Sequence, residues 1–170
     1  MTFLELAERR YSCKKYSQRE VEPGKLMAVL EAGRLAPTAK NLQEQHIYVL
    51  QSKEALAELD RLTPCRYGAG TVLMVTYDRT RTYVLPGDQY NSGVEDATIV
   101  ASHMMLAAAD QGLDSCMVNF FDPDRAKEVY KLPEREEIVM MIDLGYAADG
   151  AGPLPNHKSR KDLSETVTYL

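Results

Sequence analysis

A capping-box pattern, Ser92-x-x-Glu95, opens the longest helical stretch in this sequence, which runs to Gln111 and is stopped by Gly112. Ile99, Met104, Leu106, Ala107 and Ala108 crowd that stretch so densely that several faces of the helix must be buried. A helix of this kind lies at the centre of a domain or at an interface. Nowhere does an apolar run approach the roughly 20 residues that span a bilayer, so protein has to supply the cover.

The 170 residues predict a single domain over positions 1–170, with one core. Lys and Arg total 20 against 25 Asp and Glu, a net charge of −5. That balance argues against nucleic acid or an anionic membrane as the main partner, while a local basic cluster can still bind one anion. Cys13, Cys65 and Cys116 are far apart with no C-x-x-C, which supports neither a disulfide framework nor a zinc site. A reducing compartment fits, and the N-terminus lacks a basic region followed by an apolar one, so a cytoplasmic protein is expected.

The remaining pattern alternates helices and strands. Thr2-x-x-Glu5 caps a short helix to Arg10, Pro23 opens a second with Gly33 near its end, and Ser52 caps a third from Lys53 to Leu62. Strands are predicted at Ile47–Leu50, Thr71–Tyr77, Ser115–Phe120 and Ile138–Leu144, and Asp122-Pro123 opens a helix to Tyr130. Asp78 to Tyr90 is a long polar loop and a candidate lid. The strand-like tail Thr166–Tyr169 lacks an obvious partner within so compact a chain, and reaching onto another subunit would explain it.

Several chemistries are excluded by what the motifs lack. Gly68-Ala69-Gly70 precedes a strand instead of following one, and neither a phosphate loop nor a G-x-S-x-G elbow occurs. His46, His103 and His157 share no ligand spacing, so metal is not expected. Two basic clusters stand out: Arg9-Arg10-Tyr11-Ser12-Cys13-Lys14-Lys15 and Lys158-Ser159-Arg160-Lys161. Together they offer cationic and hydroxyl donors from two chain segments, which is what a phosphate dianion requires.

Arg10-Tyr11-Ser12-Cys13-Lys14-Lys15-Tyr16 resembles the Arg-Arg-Ser-x-Arg-x-Phe opening of the FMN-dependent nitroreductase family, with Tyr11 and Lys14 where arginines are commonest. Ala36-Pro37-Thr38-Ala39-Lys40-Asn41-Leu42-Gln43 is similar to its Ala-Pro-Ser-x-x-Asn-x-Gln loop, though Glu44-Gln45 replaces the frequent Pro-Trp that follows. Asp96 to Leu113 resembles its central helix, and Leu132-Pro133, Leu144-Gly145-Tyr146 and Lys158-x-Arg160 its closing landmarks. The resemblance implies an α+β fold, a mixed central sheet wrapped by helices, in a domain-exchanged homodimer. It also makes sense of the long apolar helix, because a twofold interface buries the same face on both subunits.

By the same resemblance the cofactor is FMN and the reductant NADH or NADPH. Arg10, Tyr11, Ser12, Lys158 and Arg160 would hold the phosphate and ribityl end, and Lys14 would approach the pyrimidine edge, where a cation favours the reduced state. Pro37, Thr38, Ala39 and Asn41 would come from the other subunit to line the ring. Asn119 and Phe120 belong to the strand end whose backbone N–H groups face flavin N5, and Arg66 and Tyr67 lie near the place of a further pyrimidine contact. No catalytic side chain is implied, because flavin N5 carries the hydride. The expected activity is ping-pong reduction of nitroaromatic, quinone or similar flat acceptors. A dehalogenase, azoline oxidase or flavin-fragmenting enzyme of the same fold, or a non-catalytic FMN-binding or sensing dimer, are the alternatives. Cys13 is expected to be a small filler whose pKa is lowered by Arg10 and Lys14.

Overall fold

Every residue from Thr71 to Tyr77 is buried, so the strand they form must be covered by neighbours on both edges and by layers on both faces. In the computed structural model, which describes residues 1–87 and 89–170, this is how the chain is arranged. Asp88, inside the predicted lid loop, lies outside the described residues. The helices are α1 (Phe3–Arg9), α2 (Pro23–Leu35), α3 (Lys53–Leu62), α4 (Gly93–Asp110), α5 (Pro123–Val129) and α6 (Leu163–Thr166). The strands are β1 (Gln45–Leu50), β2 (Thr71–Asp78), β3 (Asp114–Val118) and β4 (Glu136–Gly145), in sheet order β1-β2-β4-β3. No helix among the described residues is long and apolar enough to cross a membrane.

All three ladders are antiparallel, with Met74 opposite Tyr48 on one side and Met141 on the other. The parallel part of the expected mixed sheet is confined, among the described residues, to one bridge between Ser12 and Ser115. Side chains alternate across the sheet. Leu73, Val75, Met140, Ile142 and Leu144 pack with α2 and α4 on one face. Val72, Met74, Cys116, Val118 and Met141 pack on the other with Leu59 of α3, Ala126 of α5, and Cys13 and Tyr16 of the segment after α1.

The long helix predicted from Ser92 is α4, and its inner residues Ala97, Val100, Ala101, Met104 and Ala108 are wholly buried. Two glycines allow the close approach: a Cβ on Gly33 of α2 would stand 2.9 Å from the Met104 side chain, and one on Gly93 2.2 Å from the Tyr77 ring. The outer side of α4 is also apolar. Ile99 and Leu106, with Phe3 and Leu6 of α1, line an open trough of about 590 Å³.

Four local expectations differ from the structure. Thr166–Tyr169 does not form a strand; Asp162 and Glu165 make a capping box around the single turn of α6, and these local bonds override the β-propensity of Val167 and Thr168. Ser92 precedes α4 but does not cap it through its side chain, because its hydroxyl accepts from Tyr83 N–H and donates to Glu44. β3 ends at Val118, leaving Asn119 and Phe120 beyond it, and β4 begins earlier than predicted, at Glu136.

Candidate functional site

The segment after α1 runs as an extended edge beside β3. Cys13 N–H donates to Ser115 O at 3.0 Å and Tyr16 N–H to Tyr67 O at 3.1 Å. Cys13 and Tyr16 are buried in the core layer beneath this edge, while Ser12 and Lys14 are exposed. At the far end of β3, Thr63 Oγ1 donates to Phe120 O at 2.6 Å and fixes the exit of the strand.

These two segments make a depression of about 260 Å³, lined by Ser12, Lys14, Tyr67, Cys116, Asn119 and Phe120 among others. Ser12 and Leu154 also border a second depression of about 210 Å³ with Asn156, His157 and Arg160. The two adjoin at Ser12 and Leu154, which line both, and together make a groove. Its C-terminal wall is docked by His157, whose Nε2 lies 3.3 Å from Glu8 O and whose ring meets Tyr11 edge-on at 6.4 Å. One end of the groove thus offers a hydroxyl, an imidazole and a guanidinium. The other offers an ammonium, an amide and the largely exposed ring of Phe120.

Charge is unevenly distributed around it. Among the described residues, none of Arg10, Lys14, Lys158 and Arg160 is in an ion pair, although Arg19, Arg34, Arg61, Arg66, Arg79, Lys127 and Arg135 all are. Arg160 Nη1 donates only to the carbonyls of His157 and Ser159, both at 2.6 Å, and Lys14 Nζ sits 5.8 Å from the Tyr67 ring centre. Cations that are held by no carboxylate suit an anionic ligand.

Not every predicted ligand lines this groove. Arg10 and Tyr11 line an adjacent cleft with Asp114 and Ser115, and Arg10 Nη1 lies 3.8 Å from Met105 Sδ of α4. Neither depression has Lys158 in its lining. Arg66 turns away, binding Asp60 with two nitrogens and Ala69 O with the third, while Tyr67 does line the groove.

Pro37, Thr38, Ala39 and Asn41 lie elsewhere in this chain. Ala39 N–H donates to Asp96 Oδ1 at 2.9 Å, which pins their loop to the first turn of α4. Met105, the Arg10 contact, is nine residues further along the helix, about 13 Å away at 1.5 Å per residue. The loop is tightly curled, with Lys40, Asn41 and Gln43 all at left-handed φ of 51° to 55°. Asn tolerates that conformation; Lys and Gln adopt it at a cost.

Beneath the groove lies a group that the sequence reading missed. Asp143 of β4 is buried beside its register partner Cys116, and its Oδ2 has no hydrogen-bond partner among the described residues. Burial pushes its pKa up to about 8, with Arg66 opposing. An acid in the middle of an apolar strand was the available signal. The same burial raises Cys116 to about 11. It also raises Cys13, against the expectation of a thiol lowered by Arg10 and Lys14; the thiol faces the core and donates to Lys15 O, away from both cations. Glu44 and Asp96, buried together at the base of the 37–43 loop, were also missed.

The sequence model of the nitroreductase family matches residues 7–65 and 64–146. The structure of a nitroreductase family protein from Clostridium difficile 630 aligns over 99% of this chain and 98% of that one, with TM-score 0.92 and 38% identity. An FMN-dependent nitroreductase from Clostridium difficile R20291 aligns over 94% and 99%, with TM-score 0.76 and 26% identity. An oxygen-insensitive NADPH nitroreductase of Helicobacter pylori J99 is 24% identical over 206 aligned positions, covering 98% of this chain and 95% of its own.

Proposed function

The chain belongs to the nitroreductase family, and from that premise we propose that it is an FMN-dependent oxidoreductase, using NAD(P)H to reduce nitroaromatic, quinone or similar flat acceptors. The observation that carries this reading is the groove in which Ser12, Lys14, Asn119, Phe120 and Arg160 converge with no acidic partner on either cation among the described residues. The donor set fits FMN: hydroxyl, imidazole and guanidinium at one end suit a phosphate, and an ammonium beside apolar and aromatic side chains suits a ring that gains negative charge on reduction.

In this reading Ser12 and Arg160 hold the phosphate, with Arg10, Tyr11 and Lys158 adding to the field around it. Lys14 would stand at the pyrimidine edge, where its charge would raise the reduction potential by favouring the reduced ring. The chemistry FMN supplies when bound is hydride exchange through N5, from NAD(P)H and then to the acceptor in alternation at one site. The backbone N–H groups at the exit of β3, around Asn119 and Phe120, would face that atom. Phe120 is 72% exposed, so a flat molecule has an aromatic surface to stack on.

The groove is open in one chain. We place a second copy of the chain over the apolar trough on the outer side of α4, so that its Pro37, Thr38, Ala39 and Asn41 close the ring end of the groove. The test is the visible spectrum of the purified protein, recorded before and after NADH or NADPH is added without oxygen. A flavin band that bleaches is expected. A bound flavin that stays oxidised contradicts the reductase reading in favour of a binding role, and a colourless protein that takes up no FMN contradicts the site.

A further inference from the structure

Besides Asp143, three buried carboxyl groups border the sheet and its helices, and they are treated differently. Glu136, 5% exposed, is met by His46 Nδ1 at 3.0 Å and by the hydroxyls of Tyr48 and Thr76, each at 2.9 Å. Glu44 and Asp96 are at least as buried, at 3% and 4%. Among the described residues each has one oxygen bonded: Glu44 Oε1 accepts from Ser92 Oγ at 3.3 Å, and Asp96 Oδ1 accepts from Ala39 N–H at 2.9 Å. Their other oxygens, Glu44 Oε2 and Asp96 Oδ2, have no donor among the described residues, and the two residues meet at Ser92, whose hydroxyl donates to Glu44 Oε1 at 3.3 Å and whose carbonyl accepts from Asp96 N–H at 2.8 Å.

Two acceptors facing each other away from water are satisfied by a single proton between them. We propose that Glu44 and Asp96 share one proton, and that this carboxyl–carboxylate bond is the latch that fastens the 38–44 loop to α4. Its consequence for cofactor binding rests on the function proposed above; the latch itself does not. The latch joins three segments. Glu44 O also accepts from Asp78 N–H at the end of β2, and Ser92 Oγ, the donor to Glu44, accepts from Tyr83 N–H. A loop holding Lys40 and Gln43 as well as Asn41 at left-handed φ needs such a restraint, since the first two cost about 1–3 kcal/mol each.

The charged groups around the pair do not replace the proton. Lys40, on the same loop, has its Nζ over the Tyr83 ring at 4.4 Å. Asp78 is bonded to Thr80 and Arg135, Arg79 is directed to Glu134 and Glu137, and Glu95 is exposed on α4. The Tyr77 ring packs against Gly93. Burial, reinforced by the contact with Asp96, raises the Glu44 pKa. A carboxyl raised in the fold stabilises it while protonated, so the latch holds at low pH and weakens as pH rises.

Hydrogen–deuterium exchange of the FMN-free protein from about pH 5 to 9, corrected for intrinsic rates, tests the latch. Protection of residues 38–44 in the wild type should fall at least tenfold across that range relative to α3. In Glu44→Gln the side-chain amide donates to Asp96 at every pH, so protection should stay level; Asp96→Asn serves as the second variant. Wild-type protection that is level, or that falls equally in both variants, overturns the proposal. The affinity for FMN, followed by fluorescence, should track the loop in the wild type and be level in Glu44→Gln. If exchange behaves as expected while affinity ignores pH, the latch stands and the role of the loop in holding FMN is what fails.

Discussion

The two faces of the sheet are built from different material. Against α2 and α4 the buried residues are almost all aliphatic, and Gly33 and Gly93 let the helices press close. Against α3, α5 and the segment after α1 the interior includes Cys13, Tyr16, Cys116 and the acid Asp143. The first face holds the fold together and carries the 37–43 loop on α4. The second spends stability on polar groups beneath the groove that holds Ser12, Lys14 and Asn119. Groove and loop therefore lie on opposite sides of the sheet, and in the site proposed above a second chain would bring them together.

Asp143 should give the largest effect. Its pKa of about 8 in the fold exceeds the ordinary value of 3.8, so the native state binds the proton more tightly than the unfolded state. The stability this contributes is complete below about pH 4 and is lost as pH rises through about 8, on the order of 5 kcal/mol in all. Urea unfolding across that range should show the wild type losing stability relative to Asp143→Asn, which keeps no proton to lose. Equal slopes would place the second face on the same footing as the first.

Met104→Ala attacks the aliphatic face. It empties space between α4 and Gly33 and should cost about 2–5 kcal/mol in urea unfolding at any pH, without the pH slope that marks Asp143. Arg160→Ala should leave unfolding unchanged and weaken FMN binding at least tenfold, about 1.4 kcal/mol; fluorescence titration measures it. Lys158→Ala should weaken it only two- to threefold, because Lys158 lines neither depression. Equal losses in the two variants would mean that diffuse charge, and not the groove, holds the phosphate.

How far the sequence revealed these arrangements follows the same division. The long helix, the central strand Thr71–Tyr77 and the caps at Thr2, Ser52 and Asp122 were legible because periodicity and capping are local. Ser92 misled, since its hydroxyl serves a contact with Glu44 that is 48 residues away. Thr166–Tyr169 misled because a capping box outweighed β-propensity. At the site, Ser12, Lys14, Asn119 and Arg160 were named from motifs and converge on one groove. Asp143 left one signal, an acid inside an apolar strand, while Cys116 and the Glu44–Asp96 pair left none: a buried acid is recognised by what surrounds it in space, and its neighbours come from distant parts of the chain.

Each proposed site takes the groove of one chain and the loop of the opposite chain, and pairing two defective chains probes it: Ser12→Ala with Arg160→Ala in one, Thr38→Ala with Asn41→Ala in the other. Each alone should bind FMN poorly. A mixed dimer, purified through two different tags, contains one intact groove facing one intact loop, so one FMN per dimer at wild-type affinity is predicted. Recovery of no tight site in the mixed dimer, or tight FMN binding by a single chain, would contradict the account.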